Sequence, residues 1–521
     1  MRLPNVLRVK PVVILLGGVA TIALVSMFNH ALLPSMEPRF AEVIREMLAR
    51  DEYLVPIKND VPYILYPPLY YWLALGAKVL GLPDTAAVRF PAAIAFLFWI
   101  AALAGLQRRV QPSWPSWVLP LAGAALPISL AQFNIAQTDS ILALGVLLAL
   151  NGYIDHESAR IDGRAGFPWG FWLGTLLAVA AKGPVGLILA GIPVAGEILL
   201  AGTLLEPGSR VVGIIHRVVA LCPARGLSLV LTVGGSWYVA AGLAHGWDFC
   251  RAALVDQNFT RFTVGFNHLE PPWYYIKTIS YDFFPYGLLL PYASILAWRQ
   301  RHRFVWRYIG MAALLPVIFF SLSAAKQSKY LLPAAPAIVL LVLLAVFIRW
   351  SDYAARIQKW LGRYSAGMLI VFSSAVLMLP LLDRNDDIGG RRGFADLQAV
   401  RAKAPGRLFT YLWPRAQMLY AFGASLPYFR SAHDLYAAVA AGVILPGDDL
   451  LVNERYLRAD GTSSPLDLSP VPGPPYFSEI ARVEAGQALV LFRVLPGAGM
   501  WEVPNTPEPP PVQWWEKYDT D

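Results

Sequence analysis

SMEPRFAEVIREMLARDEYLVPIKNDVPYILYPPLYYW, residues 35–72, is the stretch on which the reading of this chain turns. Within it Phe40, Val43, Ile44, Met47 and Leu48 fall at i, i+3, i+4, i+7 and i+8, while Arg39, Glu42, Arg45, Glu46 and Arg50 take the other face. The spacing predicts an amphipathic helix. Ser35 suits its N-cap, Pro38 is tolerated in the first turn, and Glu37 stands where the helix dipole favours a negative charge. The helix directly follows an apolar run at residues 11–28, so it is expected to lie along a membrane surface with its apolar face in the lipid boundary. Pro67-Pro68 and Leu69-Tyr70-Tyr71-Trp72 then bring the chain back to the interface, where Tyr and Trp collect. Residues 69–80 are too few to cross a hydrocarbon core of about 30 Å and are expected to be interfacial.

The rest of the chain fits that setting. Its 521 residues are 56% hydrophobic and only 15% charged, too apolar for a soluble protein and too long for one span, which implies a polytopic membrane protein. The net charge of +8 does not point to nucleic acid, because the basic residues are spread through short loops. Arg2, Arg8 and Lys10 precede the first run, which exceeds the usual signal core of about 7 to 15 residues and is read as an uncleaved span with the N-terminus inside. Further runs lie near residues 87–106, 117–135, 140–154, 169–181, 185–201, 227–244, 276–298, 308–323, 331–348 and 365–382, giving about eleven spans. Alternation then places Arg108-Arg109, Arg160 and Arg164, Arg210 and Arg217, Arg299 and Arg301, and Arg349 through Arg363 inside, as the positive-inside rule requires. Cys222 and Cys250 fall on opposite sides, so no disulfide framework is expected. No P-loop, paired-cysteine cluster or His-Glu-x-x-His occurs, which argues against an ATPase, a structural zinc domain or a zinc protease.

After residue 382 the chain becomes charged and rich in turns. Residues 408–412, 450–452 and 488–494 read as strands, and 415–422 and 433–441 as helices, before a Pro-rich tail at 504–511. The expected fold class is therefore a polytopic α-helical membrane protein with a small C-terminal soluble α/β domain outside the membrane. The division is a transmembrane domain over residues 1–382, containing the external amphipathic loop 29–86, followed by residues 383–521.

The pattern Glu37-x-Arg39-Phe40-Ala41-Glu42, Arg45-Glu46-Met47, Val55-Pro56 and Pro67-Pro68-Leu69-x-x-Trp72 resembles the first external loop of GT-C glycosyltransferases that use polyprenyl-phosphate sugars. The similarity is to aminoarabinose lipid A transferases and bacterial homologues of protein O-mannosyltransferases. Two departures stand out. The family's Asp-Glu pair before the helix is Met36-Glu37 here, and the Glu-Lys that lipid A transferases carry before Pro-Pro is Leu65-Tyr66. The resemblance implies an inverting membrane glycosyltransferase. Its donor would be a polyprenyl-phosphate sugar and its acceptor lipid A, another envelope glycan or an exported protein, on the outer face of the inner membrane.

It also implies roles for particular residues. Glu37, assisted by Asp139, is expected to orient or deprotonate the acceptor, although each also suits a helix start. Asp139 resembles the second external acidic residue of the family, and Arg39 falls within the loop pattern as a substrate contact. Lys182-Gly183-Pro184 resembles the Thr-Lys-Gly-Pro turn, with Lys182 either a substrate contact or a headgroup anchor. Ala325 to Pro333 resembles the Ser-Lys-x-x-x-Tyr-Leu-Leu-Pro turn, whose Lys326 and Lys329 lie outside against the charge rule and so suit a lipid phosphate. Arg261 and His268, in Asn-Phe-x-Arg-Phe and the following segment, are expected at the phosphate or sugar. In lipid A transferases a metal is held near this loop by a His and by the Glu before Pro-Pro. Those positions here are Asn258 and Leu65, so no metal and no cofactor is expected. A lipid-linked sugar transporter or flippase, or a family member that binds polyprenyl phosphate without turnover, are the competing readings. Against the transporter, hardly any charge is expected in mid-span.

Overall fold

The structure is a computed structural model that describes residues 11–33, 36–205, 210–264, 268–386, 391–412, 414–453, 477–484 and 488–496. Ser35, the Pro-rich tail and the end of the charged stretch at Asp387 lie outside the described residues. The chain forms two compact units, Met1–Asn29 with Ile64–Leu377 and His30–Tyr63 with Met378–Asp521. Residues 30–63 of the amphipathic loop group with the C-terminal residues, and residues 64–86 group with the spans.

The first unit is helical. Among the described residues, six helical segments are long and apolar enough to cross a bilayer: Asp84–Val110, Pro184–Leu204, Arg210–His245, Phe304–Leu322, Ser328–Arg349 and Ser351–Leu381. Other expected spans are broken. The run at 117–135 forms two seven-residue helices, Val118–Ala124 and Pro127–Phe133, because Leu126 before the proline is extended (ψ 138°). The run at 276–298 is likewise split into Tyr274–Asp282 and Tyr286–Arg299 around Pro285.

Helices Asp139–Ile161 and Trp169–Lys182 run antiparallel with their backbones in contact. A Cβ on Gly145 would come within 2.6 Å of the Ala178 nitrogen, and one on Gly152 would strike the backbone of Gly170 and Phe171. Continuing that register towards the helix ends leads to Asp139 on one helix and Lys182 on the other.

Elsewhere on the Asp139–Ile161 helix, Tyr153 donates to Glu197 Oε2 at 2.6 Å, and Arg307 donates from Nε (2.9 Å) and Nη2 (2.5 Å) to Glu197 Oε1. Glu197 sits fully buried within the apolar Pro184–Leu205 helix, and its partner Arg307 stands in the first turn of the Phe304–Leu322 helix. The charge is held because a cation and a phenol satisfy it.

The second unit contains a two-stranded hairpin and a five-stranded sheet. The hairpin joins β1 (Ile57–Lys58) to β2 (Val61–Pro62) through Asn59 and Asp60, both at positive φ as a tight hairpin turn demands. The sheet comprises β3 (Leu408–Tyr411), β4 (Tyr428–Phe429), β5 (Asp449–Asn453), β6 (Phe477–Glu484) and β7 (Ala488–Val494) in the order β4-β3-β5-β7-β6. β3 pairs in parallel with β4 and β5, and β7 pairs antiparallel with β5 and β6. Side chains alternate between two apolar layers: Phe409, Leu450, Val452, Val490 and Phe492 on one, Leu408, Leu451, Leu489 and Leu491 on the other. β4, β6 and the helix Arg391–Ala402 were not expected from the sequence; β6 (FSEIARVE) carries little apolar character of its own.

Helix Glu37–Arg50 exists, but its apolar face is not left for lipid. Phe40, Val43, Ile44 and Met47 are buried by protein, and the helix packs on Ala416–Phe422 of the same unit. Its polar face is claimed as well: Glu46 accepts from the Asn59 N–H (2.6 Å) and the Asp60 N–H (3.2 Å). Asn59 in turn accepts from the Leu426 N–H (2.8 Å) and donates to the Leu426 carbonyl (3.2 Å). With both faces satisfied by protein, the hairpin and helix form part of a folded unit instead of a surface-riding segment.

Candidate functional site

The helical unit encloses a cavity of about 490 Å³. Asp139, Lys182, Arg261, Tyr66 and Tyr330 line it, together with an apolar set that includes Leu142, Ile188, Leu254, Phe319 and Phe320.

The close-packed helix pair delivers its central contact. Asp139 opens one helix, Lys182 ends the next, and Lys182 Nζ donates to Asp139 Oδ1 at 2.6 Å, with the carboxylate almost fully buried. Gly183 follows at φ 71°, and a Cβ there would lie 2.6 Å from the Tyr238 hydroxyl, so only glycine makes this turn without strain. The ammonium also sits 5.0 Å from the centroid of the Tyr330 ring and 5.7 Å from that of Tyr66. One carboxylate and two aromatic rings thus hold Lys182 in place.

Arg261 comes from a different kind of element. Residues Ala252–Thr260 form a π-helical turn, an uncommon geometry that recurs at functional sites, and this turn carries Gln257, Asn258 and then Arg261 along the cavity. Arg261 Nη1 donates to Gln257 Oε1 at 3.5 Å.

The local field is positive. Burial alone would raise the Tyr66 phenol, but Lys182, Lys329 and Arg261 outweigh it and bring its pKa below the usual value. His268 is likewise held below the usual imidazole range, first by partial desolvation and then by Arg261 and Lys329. Among the described residues, neither the Tyr66 nor the Tyr330 hydroxyl has a hydrogen-bond partner in the protein. Two O–H donors beside a cation make a ready binding place for an oxyanion. Sequence reasoning passed over both phenols, treating Tyr66 only as a missing lysine.

The structure gathers Asp139, Lys182 and Arg261 at the cavity and sets Lys329 near enough to bias Tyr66 and His268, though neither Lys329 nor His268 lines it. Lys326 departs from expectation. It is buried, and its ammonium donates to the carbonyls of Glu270 (2.7 Å) and Ser323, while its N–H donates to the His268 carbonyl (3.0 Å). Burial lowers its pKa. Lys326 clamps the 268–270 segment to 323–326 and is not available to a phosphate. Asp139, expected at the acceptor, has its carboxylate engaged by Lys182.

Glu37 and Arg39 belong to the other unit. Glu37 is fully buried and Oε2 accepts from the Leu33 N–H at 2.8 Å; Arg39 Nη1 donates to the Tyr63 hydroxyl at 3.4 Å. Leu65 and Asn258, at the positions where the resemblance implies metal ligands, both line the cavity. An alkyl group and an amide whose Nδ2 donates to the Ala253 and Leu254 carbonyls supply no charged donor, so the residues do not fit that metal.

No family model matches the chain. It is 26% identical over 362 residues to an undecaprenyl phosphate-alpha-4-amino-4-deoxy-L-arabinose arabinosyl transferase of Pectobacterium carotovorum, an alignment covering 66% of this chain and 61% of that protein. A Pseudomonas fluorescens transferase of the same name is 26% identical over 373 residues, covering 68% and 61%. The chain thus spans about three fifths of the length of these relatives. Among solved structures, ArnT from Cupriavidus metallidurans bound to undecaprenyl phosphate superposes with a TM-score of 0.69 at 18% identity, over 95% of this chain and 100% of that one. An Archaeoglobus fulgidus oligosaccharyltransferase gives 0.51 at 11%, over 86% and 70%. The chain shares the helical membrane fold of that ArnT structure.

Proposed function

Starting from a chain with the GT-C fold and homology to aminoarabinose transferases, we propose that it is a multi-pass glycosyltransferase of the bacterial inner membrane, of about eleven spans. It moves a sugar from a polyprenyl-phosphate donor to an envelope acceptor such as lipid A. The reaction is an inverting displacement: the acceptor oxygen attacks the anomeric carbon, the bond from that carbon to the phosphate oxygen breaks, and the polyprenyl phosphate departs with the bonding electrons.

The observation that carries this reading is the two-sided cavity. Its charged end offers Lys182, Arg261 and two unspent phenolic O–H groups to a phosphate, while its apolar walls suit an isoprenoid chain. Lys182 and Arg261, with Lys329 adding to the field, stabilise the charge that develops on the leaving phosphate. Asp139 positions Lys182 instead of acting on the acceptor. Glu37 is assigned to the acceptor hydroxyl, with transfer on the periplasmic side of the membrane. An acceptor that attacks through a phosphate oxygen needs no base, and Glu37 then only positions it.

The test is to incubate the purified chain with labelled polyprenyl-phosphate sugars and envelope extract. Label moving to an acceptor in the wild type, and failing to move in Glu37→Gln while donor binding persists, is the expected result. Full transfer in Glu37→Gln removes Glu37 from the mechanism, and no transfer with any donor sinks the reading.

A further inference from the structure

A second cavity of the helical unit, about 420 Å³, shares no residue with the first. Its walls are apolar, among them Leu289, Val346, Ile357 and Leu361, and among the described residues Arg356 is the only charged one lining it. Trp350, Tyr353 and Trp360 line it too and are 38%, 53% and 55% exposed, the placement of an interfacial aromatic belt. The guanidinium of Arg356 lies 5.4 Å from the Tyr353 ring centroid, and that of Arg349 lies 5.7 Å from Trp350. Arg356, Ile357, Trp360 and Leu361 form one stripe of the Ala354–Asp386 helix, rising about 8 Å from the cation along the apolar wall. Between residues 349 and 363 stand Arg349, Arg356, Lys359 and Arg363 against Asp352 alone, and among the described residues none of the four cations has a carboxylate partner.

We infer that this groove is a binding site for an anionic phospholipid, with an acyl chain along the Val346–Leu361 wall and the phosphate at Arg356. The pairing of an apolar slot with uncompensated cations at one end selects the occupant. A neutral lipid or an apolar helix would fill the slot and leave the charge unanswered, whereas an anionic headgroup satisfies both.

The experiment is a native mass spectrometric titration of the delipidated full chain in mild detergent, with phosphatidylglycerol and phosphatidylcholine of matched acyl chains. The first adduct of the wild type should form at several-fold lower phosphatidylglycerol than phosphatidylcholine. Arg356→Gln, an exposed change that leaves folding intact, should reduce that preference about five-fold with phosphatidylcholine binding unaltered. Val346→Trp should fill the slot and abolish the first adduct of both, while undecaprenyl phosphate still binds the other cavity. Equal binding of the two lipids to the wild type overturns the proposal, as does an unchanged preference in Arg356→Gln. Displacement of phosphatidylglycerol by undecaprenyl phosphate in Lys182→Ala assigns the groove to the donor lipid and overturns it as well.

Discussion

Asp139→Asn separates the role that the structure gives this carboxylate from the one that its sequence position suggests. At 2.6 Å and an effective dielectric of about 20, the attraction between Lys182 and Asp139 amounts to about 6 kcal/mol before desolvation is subtracted. Removing one partner of such a buried pair costs about 3–5 kcal/mol, because the other charge stays behind uncompensated. Asp139→Asn should therefore lower the thermal midpoint of the purified protein clearly. Undecaprenyl phosphate should bind at least as tightly as in the wild type, since Lys182 then has only the ligand to neutralise it. Lys182→Ala should also destabilise, but it removes a charged hydrogen bond to the phosphate worth about 1.5–3 kcal/mol, a loss of about 10- to 150-fold in affinity. The double variant should be more stable than the sum of the two singles implies. Calorimetric titration together with thermal melts of the four proteins reads all of this. An Asp139→Asn protein with unchanged melting and binding but abolished transfer would refute the pair as the reason for Asp139 and return it to the acceptor.

Three further outcomes follow from the same geometry. Tyr66→Phe keeps the ring beside Lys182 and deletes only the hydroxyl, so donor affinity should fall by about 0.5–1.5 kcal/mol, roughly 2- to 13-fold, with unchanged melting; equal affinity would remove the phenol from the phosphate site. Lys326→Ala should lower the melting midpoint by ungluing the carbonyls of Glu270 and Ser323, yet leave donor affinity near wild type once folded; a selective loss of affinity would restore it as a phosphate ligand. Glu42 is raised to about 7 by burial, which outweighs its pairing with Arg45. The folded state then binds a proton that the unfolded state, with its ordinary value of 4.5, has released. Stability from this group is present below pH 4.5 and lost as pH rises to about 7, and Glu42→Gln should flatten the melting profile in that window. A profile that rises with pH there would mean that Arg45 keeps the carboxylate ionised.

Arg261 lies in the loop between two apolar runs and was legible only through its motif, whereas Asp139 and Lys182 stand at the borders of such runs, where a polar side chain has few reasons to be. Their contact was legible in principle too, since two helices joined by a short loop must bring their far ends together. What covers an apolar face cannot be read from periodicity. The Glu37–Arg50 helix has the pattern of a lipid-facing element, and its cover comes from Ala416–Phe422, far along the chain. The same holds for Asn59, whose partner Leu426 is 367 residues away, and for Lys326, whose ammonium is claimed by two carbonyls. Pro127 and Pro285 stand inside apolar runs, and hydropathy alone does not register their power to split a span.

The most direct test of the central claim is to compare undecaprenyl phosphate with undecaprenol, the same chain without its phosphate, as ligands of the purified protein. The charged end of the cavity predicts that the phosphate adds about 10- to 150-fold in affinity and that most of this advantage disappears in Lys182→Ala. Equal affinity for the two lipids, or an advantage untouched by Lys182→Ala, would contradict the account.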